Sequence, residues 1–160
     1  MKKQESTYRA MSGYLMLLIL LITILGTIFT FMTGLVYLGI PLVLAVILIC
    51  IGFTVVNPNE SSVLILFGAY QGTIKKNGLF WVNPFFVRKK ISLRARNFDS
   101  ETIKVNDKIG NPIKIGCVLV WKVEDTYKAA FEVDDYVHFV FVQSETALRK
   151  LAGIYPYDNF

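Results

Sequence analysis

From Ala10 to Asn59 the chain carries no Lys, Arg, Asp or Glu. A bilayer's hydrocarbon core is about 30 Å thick and takes about 20 apolar residues of helix to cross. The apolar run over 13–56 is about twice that long. It is interrupted near its middle by Thr33-Gly34 and Gly39-Ile40-Pro41, residue types that punctuate helices. The pattern predicts two transmembrane helices, over 13–31 and 36–56, joined as a hairpin. A cleaved signal peptide would stop after about 7–15 apolar residues, and this stretch continues. The rival is a re-entrant wedge bent at Pro41, which enters and leaves through one leaflet.

Beyond the hairpin the period falls to two. Residues 62–67 read as a strand closed by Gly68. Lys75-Lys76-Asn77-Gly78 reads as a two-residue hairpin turn. Short strands follow over 79–82, 90–94 and 102–105, with Ile91, Leu93, Ile103 and Val105 on covered faces. Over 112–124, Ile113, Ile115, Cys117, Leu119, Trp121 and Val123 share one face. Val118 and Val120 make the other face apolar at its centre, so one long central strand covered on both sides is expected. The period then becomes helical. Asp125 is placed to cap a helix over 126–131, and Asp134 a longer one with core positions Val137, Val140, Phe141, Ser144, Leu148 and Leu151. Gly153 and Pro156 stop it. The expected class is α+β: a transmembrane helical hairpin, then a twisted antiparallel sheet with helices packed on it. The divisions are a tail over 1–12, the hairpin over 13–56 and a single small domain over 57–160.

Charge adds orientation. Lys2, Lys3 and Arg9 against Glu5 favour an inside N-terminus, and an even number of crossings, or a wedge, returns the chain to that side. The expected location is the cell membrane, with the soluble domain cytoplasmic. Cys50 and Cys117 are too far apart in the pattern to pair readily and belong to no ligand-spaced cluster. The net charge of +5 comes with no long basic block, which argues against nucleic acid. Its densest cluster, Arg88, Lys89, Lys90, Arg94 and Arg96, is the candidate contact for lipid headgroups or a partner, against a solvated strand edge.

Catalytic candidates are few. His138 stands alone on a helix, Asp134-Asp135 is explained by capping, and the glycines form no phosphate loop. No catalytic, cofactor or metal site is expected. Two features point to packing. Thr23, Gly26, Thr27, Thr30 and Gly34 form a small-residue stripe in the first helix, suited to close helix approach in lipid, unless the threonines merely bond their own backbone. His138, Val142, Glu145 and Arg149 form a second face on the last helix, suited to a polar-rimmed subunit contact. The alternative is a surface on which Glu145 and Arg149 pair along their own helix.

The motif order resembles one family. After the hydrophobic hairpin come Val56-Asn57-Pro58-Asn59-Glu60, Leu66-Phe67-Gly68 and Asn77-Gly78-Leu79-Phe80-Trp81-Val82-Asn83-Pro84-Phe85. Then follow Ser92-Leu93-Arg94, Phe98-Asp99, Lys104-Val105-Asn106-Asp107, Val120-Trp121-Lys122-Val123-Glu124-Asp125 and Gln143-Ser144-Glu145-Thr146-Ala147-Leu148-Arg149. Together they resemble the SPFH superfamily, the band 7 group of stomatin, prohibitin, flotillin and the HflK/HflC pair. The resemblance implies a non-enzymatic membrane scaffold, a large homo-oligomer that organises a membrane microdomain and regulates associated membrane proteases or transporters. It also implies a domain that continues past Phe160 into a charged coiled coil. Outside that family, the alternatives are a membrane-bound hydrolase whose catalytic residues lie beyond this stretch, and a monomeric lipid-headgroup binder.

Overall fold

The computed structural model describes residues 5–156, which fall into two compact units divided between Ser92 and Leu93. The boundary between the units falls within the stretch 57–160. The hairpin and the first strands after it belong to one unit.

The first unit opens with β1 (Met11–Ser12), α1 (Gly13–Met32) and α2 (Val36–Ile51), followed by β2 (Phe53–Val56), β3 (Glu60–Leu66), β4 (Ala69–Ile74), β5 (Gly78–Trp81) and β6 (Val87–Ser92). α1 has 20 residues and is long and apolar enough to cross a membrane. α2 has only 16, about 24 Å of helix at 1.5 Å per residue. The expected second span over 36–56 is thus too long by its last turn. After Gly52 the chain turns extended, because Phe53-Thr54-Val55-Val56 finds the edge of β5 and pairs with it. The less exposed positions of α1, from Met16 through Ile19, Leu20, Thr23, Gly26, Thr27 and Thr30, recur at helical spacing. Those of α2 are Gly39, Leu42, Ala45, Val46 and Ile49, and the two helices pack together along these stripes. Leu17, Leu18, Leu21, Leu25 and Phe29 face outward. An apolar surface of that extent needs lipid or protein around it.

β3 is the centre of a three-stranded antiparallel sheet, with β4 on one side and β6 on the other. A second sheet has β5 between β1 and β2. This corrects the reading of Lys75-Lys76-Asn77-Gly78 as a two-residue hairpin turn. β4 and β5 do not pair with each other, so the segment carries the chain from one sheet to the next. Gly78 does take the positive φ (139°) that its Asn-Gly context advertises. Val56, Leu64, Ile74 and Val82 form the buried core, with Tyr8, Ala10, Phe80 and Phe86 packed against it.

The second unit comprises β7 (Arg96–Asp99), β8 (Ile103–Asn106), β9 (Pro112–Ile115), β10 (Val118–Trp121), α3 (Thr126–Phe131) and α4 (Tyr136–Ala152). The expected single strand over 112–124 is two. β9 pairs with β8, and β10 with β7. At the break, the Ser100 hydroxyl accepts from the Cys117 N–H at 2.8 Å, and the Ser100 N–H donates to the Cys117 carbonyl at 2.9 Å. The predicted alternation survives the break, since Ile113, Ile115, Cys117, Leu119, Trp121 and Val123 are all partly covered. The second face is not covered: Val118 and Val120 are 72% and 64% exposed.

Asp125 caps α3 as expected. The cap of α4 is Asp135 rather than Asp134; its carboxylate accepts from the N–H groups of Val137 and His138. The covered stripe of α4 is Tyr136, Val140, Ser144, Leu148 and Ala152. Val137, Phe141 and Leu151, assigned to the core, are exposed. Phe141 still meets Phe98 edge to face at 5.0 Å. With so little apolar residue available beneath it, a thin sheet covers one stripe of this helix and leaves its flanks open.

Candidate functional site

The most constructed feature of the molecule is the mouth of the hairpin, where α1 starts and α2 ends on the two edges of β5. Met11 and Phe53 both lie opposite Trp81, and Ser12 and Thr54 both lie opposite Phe80. The chain therefore enters and leaves the hairpin in one register. Close approach at both corners requires glycine. A Cβ on Gly13 would lie 2.8 Å from the Leu79 carbonyl carbon and oxygen, and one on Gly52 would lie 2.1 Å from Trp81 Nε1.

The end of α2 is held by side chains. The last carbonyls of a helix have no partner within it. Here the Trp81 indole N–H donates to the Ile49 carbonyl at 2.9 Å. The Arg88 guanidinium donates to the Ile51 carbonyl at 2.7 Å and to the Phe53 carbonyl at 2.9 Å. A cation at this point also meets the negative end of the helix dipole. Burial lowers the Arg88 pKa from its ordinary value; an arginine nonetheless stays charged across the physiological range. The joint is therefore insensitive to pH there.

The N-terminal segment is fastened to the same unit. The Tyr8 N–H donates to the Thr73 carbonyl, the Thr73 N–H donates to the Ser6 carbonyl, and Lys75 pairs with Glu5 at 2.7 Å. Both ends of the hairpin consequently stand on one sheet layer.

The five basic residues expected to act as one patch are distributed between the two units. Arg88 holds the end of α2 through its guanidinium. Lys89 and Lys90 are exposed on β6, and Arg94 is exposed at the start of the second unit. Arg96 lies over the rings of Trp121 and Tyr136, 5.7 Å from each centroid. No signal in the sequence marks Arg88 as different from its lysine neighbours. Only its place beside the Ile51 and Phe53 carbonyls sets it apart.

In α1 the hydroxyls of Thr23, Thr27 and Thr30 bond carbonyls of their own helix, and a Cβ on Gly26 would touch nothing within 4 Å. The stripe faces α2 without a close approach there, and Gly34 serves the turn with φ 76°. On α4, His138 stacks on Phe141, Val142 is 41% exposed, and Glu145 pairs with Arg149 along the helix at 2.8 Å. Phe141 and Glu145 also border a cavity of about 460 Å³ with Asp99, Ser100, Glu101 and Ile103. Among the described residues no group of three or more His, Cys, Asp or Glu could hold a metal ion.

Comparison with known proteins agrees with this architecture. The SPFH domain / Band 7 family matches residues 54–160. A stomatin homologue of Pyrococcus horikoshii is 27% identical over 116 residues, covering 72% of this chain and 43% of its own length. One from Pyrococcus abyssi is 29% identical over 115 residues, covering 71% and 42%. An uncharacterised protein of Methanothermobacter thermautotrophicus is 26% identical over 124 residues, covering 75% and 39%. The chain thus spans less than two thirds of the length of the curated relatives it matches. A family match over most of the chain, on an α+β fold rooted in an apolar hairpin, makes this protein a member of the SPFH/band 7 family.

Proposed function

We propose that this protein is a non-enzymatic membrane scaffold, which assembles side by side with copies of itself, organises a patch of membrane and regulates proteases or transporters there. The observation that carries the reading is the hairpin mouth. A sheet rooted on both helices through Gly13, Gly52 and Arg88 ties the first unit to the hairpin without a flexible linker. The apolar surface left open on the second unit, at Val118, Val120, Val137, Phe139 and Val142, supports a contact between copies.

The proposed contact is the α4 face of His138, Val142, Glu145 and Arg149. Glu145 and Arg149 pair with each other, so the apolar residue carries the attraction and the ion pair forms the rim. Val142→Asp should disperse the complex of the whole protein in mild detergent, with little change in melting temperature. A mutant that still migrates as a large complex would exclude this face. If the mutant loses its fold, Val142 belongs to the core.

The hairpin crosses the membrane twice in this reading, with both ends cytoplasmic, as Lys2, Lys3 and Arg9 favour. α2 is about 6 Å short of the hydrocarbon thickness, a mismatch that local thinning absorbs at fractions of a kcal/mol per Å. Tyr37, beside the turn and 93% exposed, suits the far interface. A cysteine at Thr33 should react with an impermeant maleimide outside intact cells, whereas one at Gln71 should not. Protection of both positions would replace two crossings by a wedge, and labelling of Gln71 would reverse the orientation.

A further inference from the structure

Beside the hairpin mouth a groove of about 510 Å³ runs between the N-terminal segment and the end of β4, bordered by Tyr8, Arg9, Ile74, Lys75, Lys76 and Phe80. Three cations, Arg9, Lys75 and Lys76, stand on its border. Glu5 holds Lys75 at 2.7 Å, and among the described residues no carboxylate pairs with Arg9 or Lys76. Both are exposed. The groove's other wall is apolar and rigid: Ile74 belongs to the buried core, and Tyr8 and Phe80 pack against that core.

Its position selects its ligand. Arg9 stands four residues before Gly13, the first residue of α1, and Phe80 lies opposite Ser12 and Thr54, which flank the hairpin. With the apolar hairpin in lipid, this layer is at headgroup depth. The geometry points to a binding site for the headgroup of an anionic phospholipid, with Arg9 and Lys76 on the phosphate and Tyr8, Ile74 and Phe80 against the glycerol and the first methylenes. An arginine binds phosphate through paired donors and a lysine as a point charge. A zwitterionic headgroup would bring its ammonium against these same cations, so phosphatidylglycerol or phosphatidic acid is favoured over phosphatidylcholine. This site is separate from the Arg88–Arg96 run, whose first and last members have their cations engaged within the protein. The inference rests on the hairpin's membrane insertion, not on assembly.

The test uses the whole chain in nonionic detergent, titrated calorimetrically with short-chain phosphatidylglycerol. Binding should saturate, and Arg9→Gln with Lys76→Gln should weaken it about thirtyfold, since each basic residue near an anionic surface contributes on the order of a factor of five. Lys104→Gln with Lys114→Gln, exposed and in the second unit, should change it less than about twofold. Unchanged melting of the first pair of variants keeps the loss from being one of folding. Equal weakening by the second pair would reduce the effect to net charge and overturn the site. Equal binding of short-chain phosphatidylcholine would overturn the charge selection, and full competition by inorganic phosphate would make it a site for a soluble anion. Failure of the chain to float with vesicles of any composition would instead remove the membrane reading beneath it.

Discussion

Gly52→Ala should destabilise the protein by about 3 kcal/mol, although backbone propensity alone predicts the opposite. Gly52 ends α2 at φ −69° and ψ −18°, ordinary helical values that alanine adopts freely. Replacing glycine there would by itself stabilise by about 0.4–1 kcal/mol through the unfolded chain. The added methyl, however, would sit 2.1 Å from Trp81 Nε1 and 2.5 Å from Cε2. The indole cannot swing away without breaking its hydrogen bond to the Ile49 carbonyl; that carbonyl keeps the Gly52 N–H, but the indole N–H loses its acceptor, at a cost of about 1–3 kcal/mol. Denaturant unfolding in detergent, followed by tryptophan fluorescence, measures the sign. A variant as stable as its parent would show that the hairpin and β5 are not tightly joined. Gly13→Ala provides the second reading, because there the obstacle is Leu79 backbone as well as side chain.

Arg88→Met should cost about 2–3 kcal/mol, the range for hydrogen bonds to a charged group. Methionine keeps most of the aliphatic stem, so the loss isolates the guanidinium and its bonds to Ile51 and Phe53. Arg88→Lys should recover only part, since a single ammonium does not reproduce the fork that reaches both carbonyls. Lys90→Met, exposed and two residues further along the same strand, should stay within about 0.5 kcal/mol. Similar losses at both positions would mean that the strand's basic character, rather than the cap on α2, is what matters.

Where the reading of the sequence held and where it failed follow one division. The alternation over 112–124 correctly named the covered face, yet missed the interruption at Gly116-Cys117. Side-chain period is a local property of the strand, while the pairing that breaks there is made with Ser100, seventeen residues away. The helix start at Asp125 was legible, and the next one was missed by a single residue because Asp134 and Asp135 are equally good capping residues. The inward stripe of α4 was read too broadly, since Val137 and Leu151 satisfy the helical period without anything beside them to cover them.

The sequence by itself determined the apolar helical hairpin, the α+β order, the cap at Asp125 and the family, because each rests on runs, short spacings or an ordered set of motifs. Only the tertiary structure decided that α2 stops at Ile51, that β5 pairs with both flanks of the hairpin, and that Arg88 turns inward while Lys89 and Lys90 stay out. Those outcomes are contests between distant partners for the same backbone edge or carbonyl. The winner depends on which groups the fold brings within about 3 Å of one another, a distance that no residue pattern along the chain encodes.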